Sequence, residues 1–250
     1  MISIKNVSKN FGSFQALKKV SFDIEAGEIV GFVGQNGAGK TTLMRILTSY
    51  YRASFGTVLI DGEDISQNSL AIRKKIGYLP ETPPLYLDMT VKAYLNFAAE
   101  IKGVAANIRQ RQVHRALEEC QLGDAFDKTI GTLSKGYKQR VGIAQAIIHE
   151  PEILILDEPT SGLDPIQNLQ LRNLIRGLKD QRTVILSTHV LSEIEQIAQR
   201  VLIIKAGQLI VDELLDVLLK DHKLDKVAPT TLEDVFVHYH QEEPKAVQHG

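Results

Sequence analysis

Nine consecutive residues, Gly34-Gln35-Asn36-Gly37-Ala38-Gly39-Lys40-Thr41-Thr42, combine three conformationally permissive glycines, one cation and two hydroxyls. Glycine, four residues, glycine, lysine and a hydroxyl is the spacing of a phosphate-binding loop. Such a loop wraps its backbone N–H groups around an anion, and the positive end of the following helix adds to the field. Lys40 is expected to reach the terminal phosphates and the Thr41 hydroxyl to take a place on Mg²⁺. Farther along, Asp157 and Glu158 close the apolar run Ile153–Leu156. The first carboxylate suits a cation beside a phosphate, and the second can polarise an attacking water as general base. The plain alternative is a charged turn ending a strand. Two adjacent carboxylates at such a site would repel each other without a cation, which favours chemistry.

Two further groups have the right types. His189 follows Ser187-Thr188 and is placed either to sense the terminal phosphate or to serve as a structural histidine. Ser134 is a helix-capping type with Gly136 two residues on, so hydroxyl, free N–H groups and helix dipole make a second anion site there. Its bland counterpart is an ordinary helix cap followed by the solvated basic residues Lys135, Lys138 and Arg140. One loop cannot use two terminal-phosphate sites on one face of one monomer. Two copies paired head to tail can, each lending the second site to the other under a two-fold axis.

The elements that must hold these groups are legible from periodicity. Glu28–Val33 is a short apolar run, the pattern of a fully buried strand, and Leu43, Ile46, Leu47 and Tyr50 recur at helical spacing behind the loop. Ile2 and Ile4, then Val20, Phe22 and Ile24, alternate as half-buried strands. Thr57–Ile60 stops at the tight-turn dipeptide Asp61-Gly62, and Lys75–Leu79 stops at Pro80. From about 85 to 150 the composition turns helical: Thr90 caps a helix with Val91, Leu95, Ala98 and Ile101 inward, and Val113, Ala116, Leu117 and Cys120 stripe the next. Apolar strands resume at Ile153–Asp157 and Thr183–Ser187, separated by a helix that Asp164-Pro165 starts and Leu171, Leu174, Ile175 and Leu178 bury. Val201–Val211 reads as a hairpin around Ala206-Gly207. Past residue 212 only Thr231–Asp234 stands out, as a capping box before Val235 and Phe236. His238, His240 and His249 match no ligand spacing, and residues 241–250 read as a frayed tail.

A chain of 250 residues, 44% hydrophobic, suits one large α/β domain or a main domain with a lobe. Its net charge of −1 supplies no global positive field for nucleic acid. The lone Cys120 has no internal disulfide partner and is expected in the core of a protein kept in a reducing cytosol. Met1–Lys5 lacks the pattern of a secretion signal, and no apolar run approaches the ~20 residues that span a bilayer. A membrane role is therefore expected only through a partner.

Gly34–Thr42, Leu133–Arg140, Ile153–Glu158, Ser161-Gly162-Leu163-Asp164 and His189 stand in the order of the ATP-binding-cassette (ABC) ATPases, and the chain resembles that family over residues 1 to about 212. Ser134 and Asp157 are 23 residues apart, Asp157 and His189 are 32 apart, and both intervals are typical of it. The resemblance implies an α/β P-loop fold with an N-terminal antiparallel β-subdomain and an inserted helical lobe, a C-terminal extension over 213–240, and ATP with Mg²⁺ as ligands. Phe11 resembles the aromatic that stacks on adenine. Gly34 to Thr42 resemble the phosphate cradle, Thr41 and Asp157 the Mg²⁺ ligands, Glu158 the catalytic base, Ser134 and Gly136 the contacts made in trans, and His189 the switch histidine. Ser161 to Asp164 resembles the segment that couples the two sites of a dimer.

Two departures stand out. Lys135 and Tyr137 replace the first glycine and the glutamine of Leu-Ser-Gly-Gly-Gln, and Lys135 is expected to add positive charge to the second anion site. Glu81 replaces the usual glutamine after Ile76–Pro80; it can still meet Mg²⁺ or water, with added charge at the lobe's hinge. Both variants, together with Pro84–Val91 and Thr231–Phe236, are similar to the exporter branch, its gliding-motility-type members especially. That branch implies a separate membrane permease gripped by Thr82–Met89 with Tyr86 exposed, a head-to-tail dimer, and a place on the cytoplasmic face of the membrane. A monomer should bind ATP yet hydrolyse it poorly. The alternatives are a nucleotide-gated scaffold with little turnover and a non-transport cassette ATPase; a GTPase is disfavoured because no Asn-Lys-x-Asp motif occurs.

Overall fold

Residues 1–179, 182–221 and 231–241 are described by the structure, a computed structural model. Among them the strands form two sheets. β1 (Ile2–Phe11) and β2 (Phe14–Ile24) make a hairpin that turns at Gly12, and β4 (Phe55–Ile60) and β5 (Glu63–Asp64) extend it to an antiparallel sheet of order β2-β1-β4-β5. The expected alternation holds: Ile2, Ile4, Val20, Phe22 and Ile24 are all buried. Asp61 and Gly62 both have positive φ, 51° and 81°, which matches a tight turn to the twist of its strands.

The second sheet contains β3 (Ile29–Val33), β6 (Ile76–Leu79), β7 (Ile153–Asp157), β8 (Thr183–Thr188), β9 (Arg200–Lys205) and β10 (Gln208–Leu214) in the order β10-β9-β3-β8-β7-β6. Only the β9–β10 pair is antiparallel. β3, β7 and β8 are buried at every residue, so they read as unbroken apolar runs rather than as alternation. Ile29 and Val33 of β3 face one core, whereas Val30 and Phe32 face the other. Phe32 meets Phe22 of the first sheet with ring centroids 6.2 Å apart, so truncating it to alanine should cost about 3–5 kcal/mol. Because β3, β7 and β8 run parallel, the segments that follow them, containing Lys40, Glu158 and His189, emerge at one edge, where open α/β sheets bind ligands.

The helices are α1 (Lys40–Leu47), α2 (Ser69–Lys75), α3 (Val91–Ile101), α4 (Ala106–Glu119), α5 (Lys135–Ile147), α6 (Pro165–Gly177), α7 (Leu191–Ile197), α8 (Leu215–Asp221) and α9 (Leu232–Gln241). Thr90 Oγ1 accepts the Ala93 N–H at 3.2 Å, Asp164 accepts those of Ile166 and Gln167 at 3.0 and 2.9 Å, and Thr231 and Asp234 cap each other at 3.2 and 3.3 Å. Cys120 is fully buried. α3 to α5 pack together between β6 and β7 in the chain, and one core joins them to a face of the parallel sheet.

Three sequence expectations are corrected. Tyr50 is 71% exposed, because Ser49 takes φ 57° after α1 has ended and turns the chain off the helical stripe. Ile101 is 69% exposed at the last residue of α3, where the chain turns away, and Tyr94 and Ala99 are buried beside Val91, Leu95 and Ala98. Lys75 ends α2 rather than opening β6. Beyond β10, which reaches Leu214, the extension expected to be partly helical contains α8, which docks Leu215 and Leu218 on the core, and α9. Of the three histidines weighed as ligands, the side chain of His240 and the whole of His249 lie outside the described residues, as do residues 242–250 of the expected tail. Among the described residues no three or more His, Cys, Asp or Glu cluster as a metal site.

Candidate active site

Close packing shapes the glycine-rich loop. A Cβ on Gly34 would lie 2.6 Å from the Ile204 carbonyl oxygen, and one on Gly39, whose φ is 112°, would lie 2.9 Å from that of Ala16. Only glycine fits either position. The Leu43 N–H donates to Gly39 O at 3.0 Å and starts α1. Lys40 is buried in the first turn; its Nζ donates to the carbonyls of Gly34 (2.7 Å) and Gln35 (3.3 Å) and lies 3.5 Å from Glu158 Oε1.

The two adjacent carboxylates are held apart by different partners. Asp157 Oδ1 accepts from Thr41 Oγ1 at 3.3 Å and from Ser187 Oγ at 2.5 Å; Ser187 is its register neighbour on β8. Asp157 Oδ2 is buried without a hydrogen-bond partner. Glu158 adopts φ 49°, and its N–H donates to the Ser187 carbonyl at 3.0 Å. That turn aims its carboxylate at Lys40 on one side and at His189 Nδ1, 2.8 Å from Oε2, on the other. The Tyr78 phenol nearby is pushed up to about 12 by burial and by the charge of Asp157, so it stays protonated.

A cavity of about 510 Å³ opens above these groups. It is lined by Gln35, Asn36, Gly37, Gly39, Lys40, Thr41 and Thr42 of the loop, by Glu81, Glu158 and His189, and by Phe11 and Phe14. Gly34 and Ala38 do not line it: Gly34 packs on Ile204, and the buried Ala38 accepts the Gly207 N–H on its carbonyl at 2.9 Å. The Phe11 ring is braced by the edge of Tyr51, centroids 5.4 Å apart, and by the Lys9 ammonium 5.1 Å from its centroid. Exposed aromatic rings together with a cationic, N–H-rich loop suit a nucleoside polyphosphate.

Ser134 and Gly136 line a different hollow, of about 330 Å³, together with Arg140, Asp164, Gln167 and Gln170. Ser134 Oγ caps α5 by accepting from the Tyr137 N–H at 3.4 Å. The Gly136 N–H is not bare, as the sequence suggested: it donates to Gln167 Oε1 at 3.0 Å. Nor does Lys135 charge this hollow. Its ammonium approaches the backbone of Gly162 and lines a separate groove with Glu81 and Ser161. Sequence reasoning missed Ser187, Phe14, the Lys9–Tyr51 brace and Gln167. Ser187 was reachable from the parallel pairing of β7 with β8; the others depend on side-chain packing.

The family pattern described as ABC transporter matches residues 17–161 of this chain. The chain belongs to the ABC transporter family. It is 39% identical over 212 residues to the bacitracin transport ATP-binding protein BcrA of Bacillus licheniformis, covering 84% of this chain and 68% of that one. It is 35% identical over 217 residues to the lantibiotic transport ATP-binding protein SrtF of Streptococcus pyogenes, covering 86% and 92%. Among solved structures it resembles cbiO1 of Clostridium perfringens, part of the ABC transporter complex cbiONQ, with a TM-score of 0.79, 28% identity and coverage of 85% and 88%. It also resembles the dimeric post-hydrolysis state of the ATP-binding cassette MJ0796 bound to ADP and Pi, with a TM-score of 0.77, 28% identity and coverage of 86% and 99%. This ABC protein is thus an ATP-binding subunit and an ATPase of the cassette fold. No helix among its described residues is long and apolar enough to cross a membrane.

Proposed function

We propose that this ABC ATPase drives an exporter by closing head to tail on a second copy of itself around two ATP molecules, then reopening after hydrolysis. One observation carries the reading: Ser134 and Gly136 line a hollow separate from the cavity that holds Lys40, Glu158 and His189, so a single chain offers half of each site. In this scheme Phe11 stacks on adenine, and the loop from Gly34 to Thr42 holds the phosphates. The terminal phosphate draws Lys40 away from Glu158, which leaves that carboxylate free to take a proton from the attacking water. As the water oxygen bonds to the γ-phosphorus, the bond to ADP breaks; Lys40 and the partner's Ser134 and Gly136 N–H offset the charge on the phosphoryl oxygens. His189 orients Glu158 and senses the terminal phosphate. Thr41 Oγ1 and the unpartnered Asp157 Oδ2 fit the hard-oxygen donor set of Mg²⁺, with Glu81 at the cavity wall as a further or water-mediated contact. Bound there, Mg²⁺ would neutralise phosphate charge.

The permease contact is assigned to the segment Thr82–Met89. Tyr86 is 56% exposed and stacks edge-on against Phe97, centroids 5.5 Å apart; its chain neighbour Leu87 and Ile101, one turn after Phe97 on α3, are exposed too. An apolar patch of this kind suits a short helix of a membrane partner and places the subunit on the cytoplasmic face of the membrane. The transport names of BcrA and SrtF support export of peptide-like compounds, and the segments 76–91, 135–140 and 231–236 favour the gliding-motility-type branch within it. The test is Glu158→Gln in the full chain. ATP binding should persist, an ATP-dependent dimer should accumulate in light scattering, and phosphate release should fall by roughly 10²–10⁴-fold. Normal turnover would remove Glu158 from the base role, and a monomer at saturating ATP would remove the shared site.

A further inference from the structure

The N-terminal turn of α5 is already occupied in this subunit, by a side chain of the same subunit. Gln167 lies on the first turn of α6, three residues after the capping Asp164, and its Oε1 accepts the Gly136 N–H at 3.0 Å. The fit is close: a Cβ on residue 136 would stand 2.5 Å from that oxygen. One turn along both helices a second bond repeats the arrangement, Arg140 Nη2 to Gln170 Oε1 at 2.6 Å. α5 belongs to the inserted lobe and α6 to the core, so these two bonds fasten lobe to core beside the segment Ser161–Asp164.

We propose that Gln167 is a cis occupant of the second anion site: its amide oxygen holds the Gly136 N–H until the partner-bound terminal phosphate replaces it. The inference rests on the shared-site reading above. A neutral amide oxygen is well chosen for the task. It satisfies a backbone donor that would otherwise face only water, yet a phosphate oxygen forms a charge-assisted bond roughly twice as strong and displaces it. ADP, which lacks the third phosphate, does not displace it, so Gln167 returns after hydrolysis and favours opening. Gln167 is thus a positioning residue. It sets how readily the lobe presents Gly136, and through α6 it links that event to Ser161–Asp164.

The experiment is carried out in the Glu158→Gln full chain, where dimer formation is read by light scattering across an ATP titration. Gln167→Glu retains the size and places a carboxylate against the Gly136 N–H, where it competes with and repels the phosphate. The ATP concentration for half-maximal dimer should rise by roughly tenfold or more, while ATP binding by the monomer stays unchanged. Mere loosening of α5 against α6 would move the midpoint the same way in Gln167→Glu as in Gln167→Ala, so opposite directions are the signature of occupancy. Gln167→Ala should lower the midpoint about two- to threefold. Ser134→Asp, which preserves the helix cap but adds charge, is the control: an undisturbed dimer there would overturn the shared site itself. A disturbed dimer in that control, combined with an unshifted Gln167→Glu titration or with Gln167→Glu and Gln167→Ala moving the midpoint the same way, would overturn the role of Gln167 alone.

Discussion

Lys40, Glu158 and His189 hold one another across the ends of parallel strands that are buried along their whole length, whereas Gly136 is held by a glutamine reaching from another helix. The first surface is fixed by the sheet: β3, β7 and β8 are buried on both faces and paired along their length, so the segments that leave their ends are held in place. The second is fixed by side-chain hydrogen bonds between a lobe and its core, at the margin of a shallow hollow. Surfaces of the first kind are pre-organised and bind tightly; those of the second kind can move. The division matches what a cassette ATPase must do, which is to bind nucleotide on a preformed surface and to engage a partner only when a terminal phosphate is present.

The sharpest way to break the contrast is Lys40→Ala. The ammonium makes two bonds to loop carbonyls and an ion pair with Glu158, so its loss leaves a buried carboxylate unpaired and removes the cation for the phosphates. Phosphate release by the purified chain should fall by at least ~100-fold. Unchanged turnover would mean that the loop is not the nucleotide site. A smaller effect is expected at the aromatic rings. Phe11→Ala should weaken ATP binding by roughly tenfold, the equivalent of about 1–2 kcal/mol of lost stacking, and leave binding of inorganic triphosphate unaltered. Equal losses for both ligands would show that Phe11 supports the loop instead of the base. Tyr51→Leu, which removes only the brace behind Phe11, should cost about two- to threefold in the same measurement.

The smallest effect concerns how the lobe is anchored. His149, just after α5, has Nε2 3.1 Å from the Ile76 carbonyl of β6, and its Nδ1 is buried without a partner. Burial first, and then the positive charge of Lys102, lower its pKa from 6.5 to about 4. An unfolded chain therefore takes up this proton near pH 6.5 and the folded one only near pH 4. The stability it contributes is complete above pH 6.5 and is lost as the pH falls toward 4. His149→Gln retains a donor for Ile76 O and should flatten the decline in melting temperature between pH 6.5 and 4.5. A decline as steep as that of the unsubstituted chain would exclude His149 as its source.

Much of this was readable before any coordinates. The loop, the Asp157-Glu158 pair, the caps at Thr90, Ser134 and Asp164 and the turns at Asp61-Gly62 and Ala206-Gly207 are local, and local chemistry dictates them. What escaped were choices made by packing across long separations. Tyr50 continued a helical stripe on paper, but a left-handed Ser49 ended the helix first. α2 was invisible because Ser69–Lys75 buries only Ile72. Lys135 was expected among phosphates and lies against Gly162 instead, and the bond from Gly136 to Gln167 spans 31 residues with no periodicity to announce it. The half of the site made by the sheet could be read from sequence; the half made by the lobe needed the structure.

The neighbours of β3 carry a consequence for how the protein comes into being. The strand that launches the phosphate loop pairs with β8 and β9, residues 183–205, and the loop leans on Ile204 and on the turn at Gly207. On the ribosome the glycine-rich segment and Ala16 emerge early, while the strands that flank β3 and the Ile204–Gly207 segment emerge roughly 150 or more residues later. A nascent chain halted before Thr183 contains the whole loop and the Asp157-Glu158 pair but no strands to flank β3, and its buried apolar runs are exposed to association with other chains. Nucleotide binding is therefore a late event in the protein's synthesis, and ATP capture by stalled chains of increasing length would date the moment at which the cassette closes.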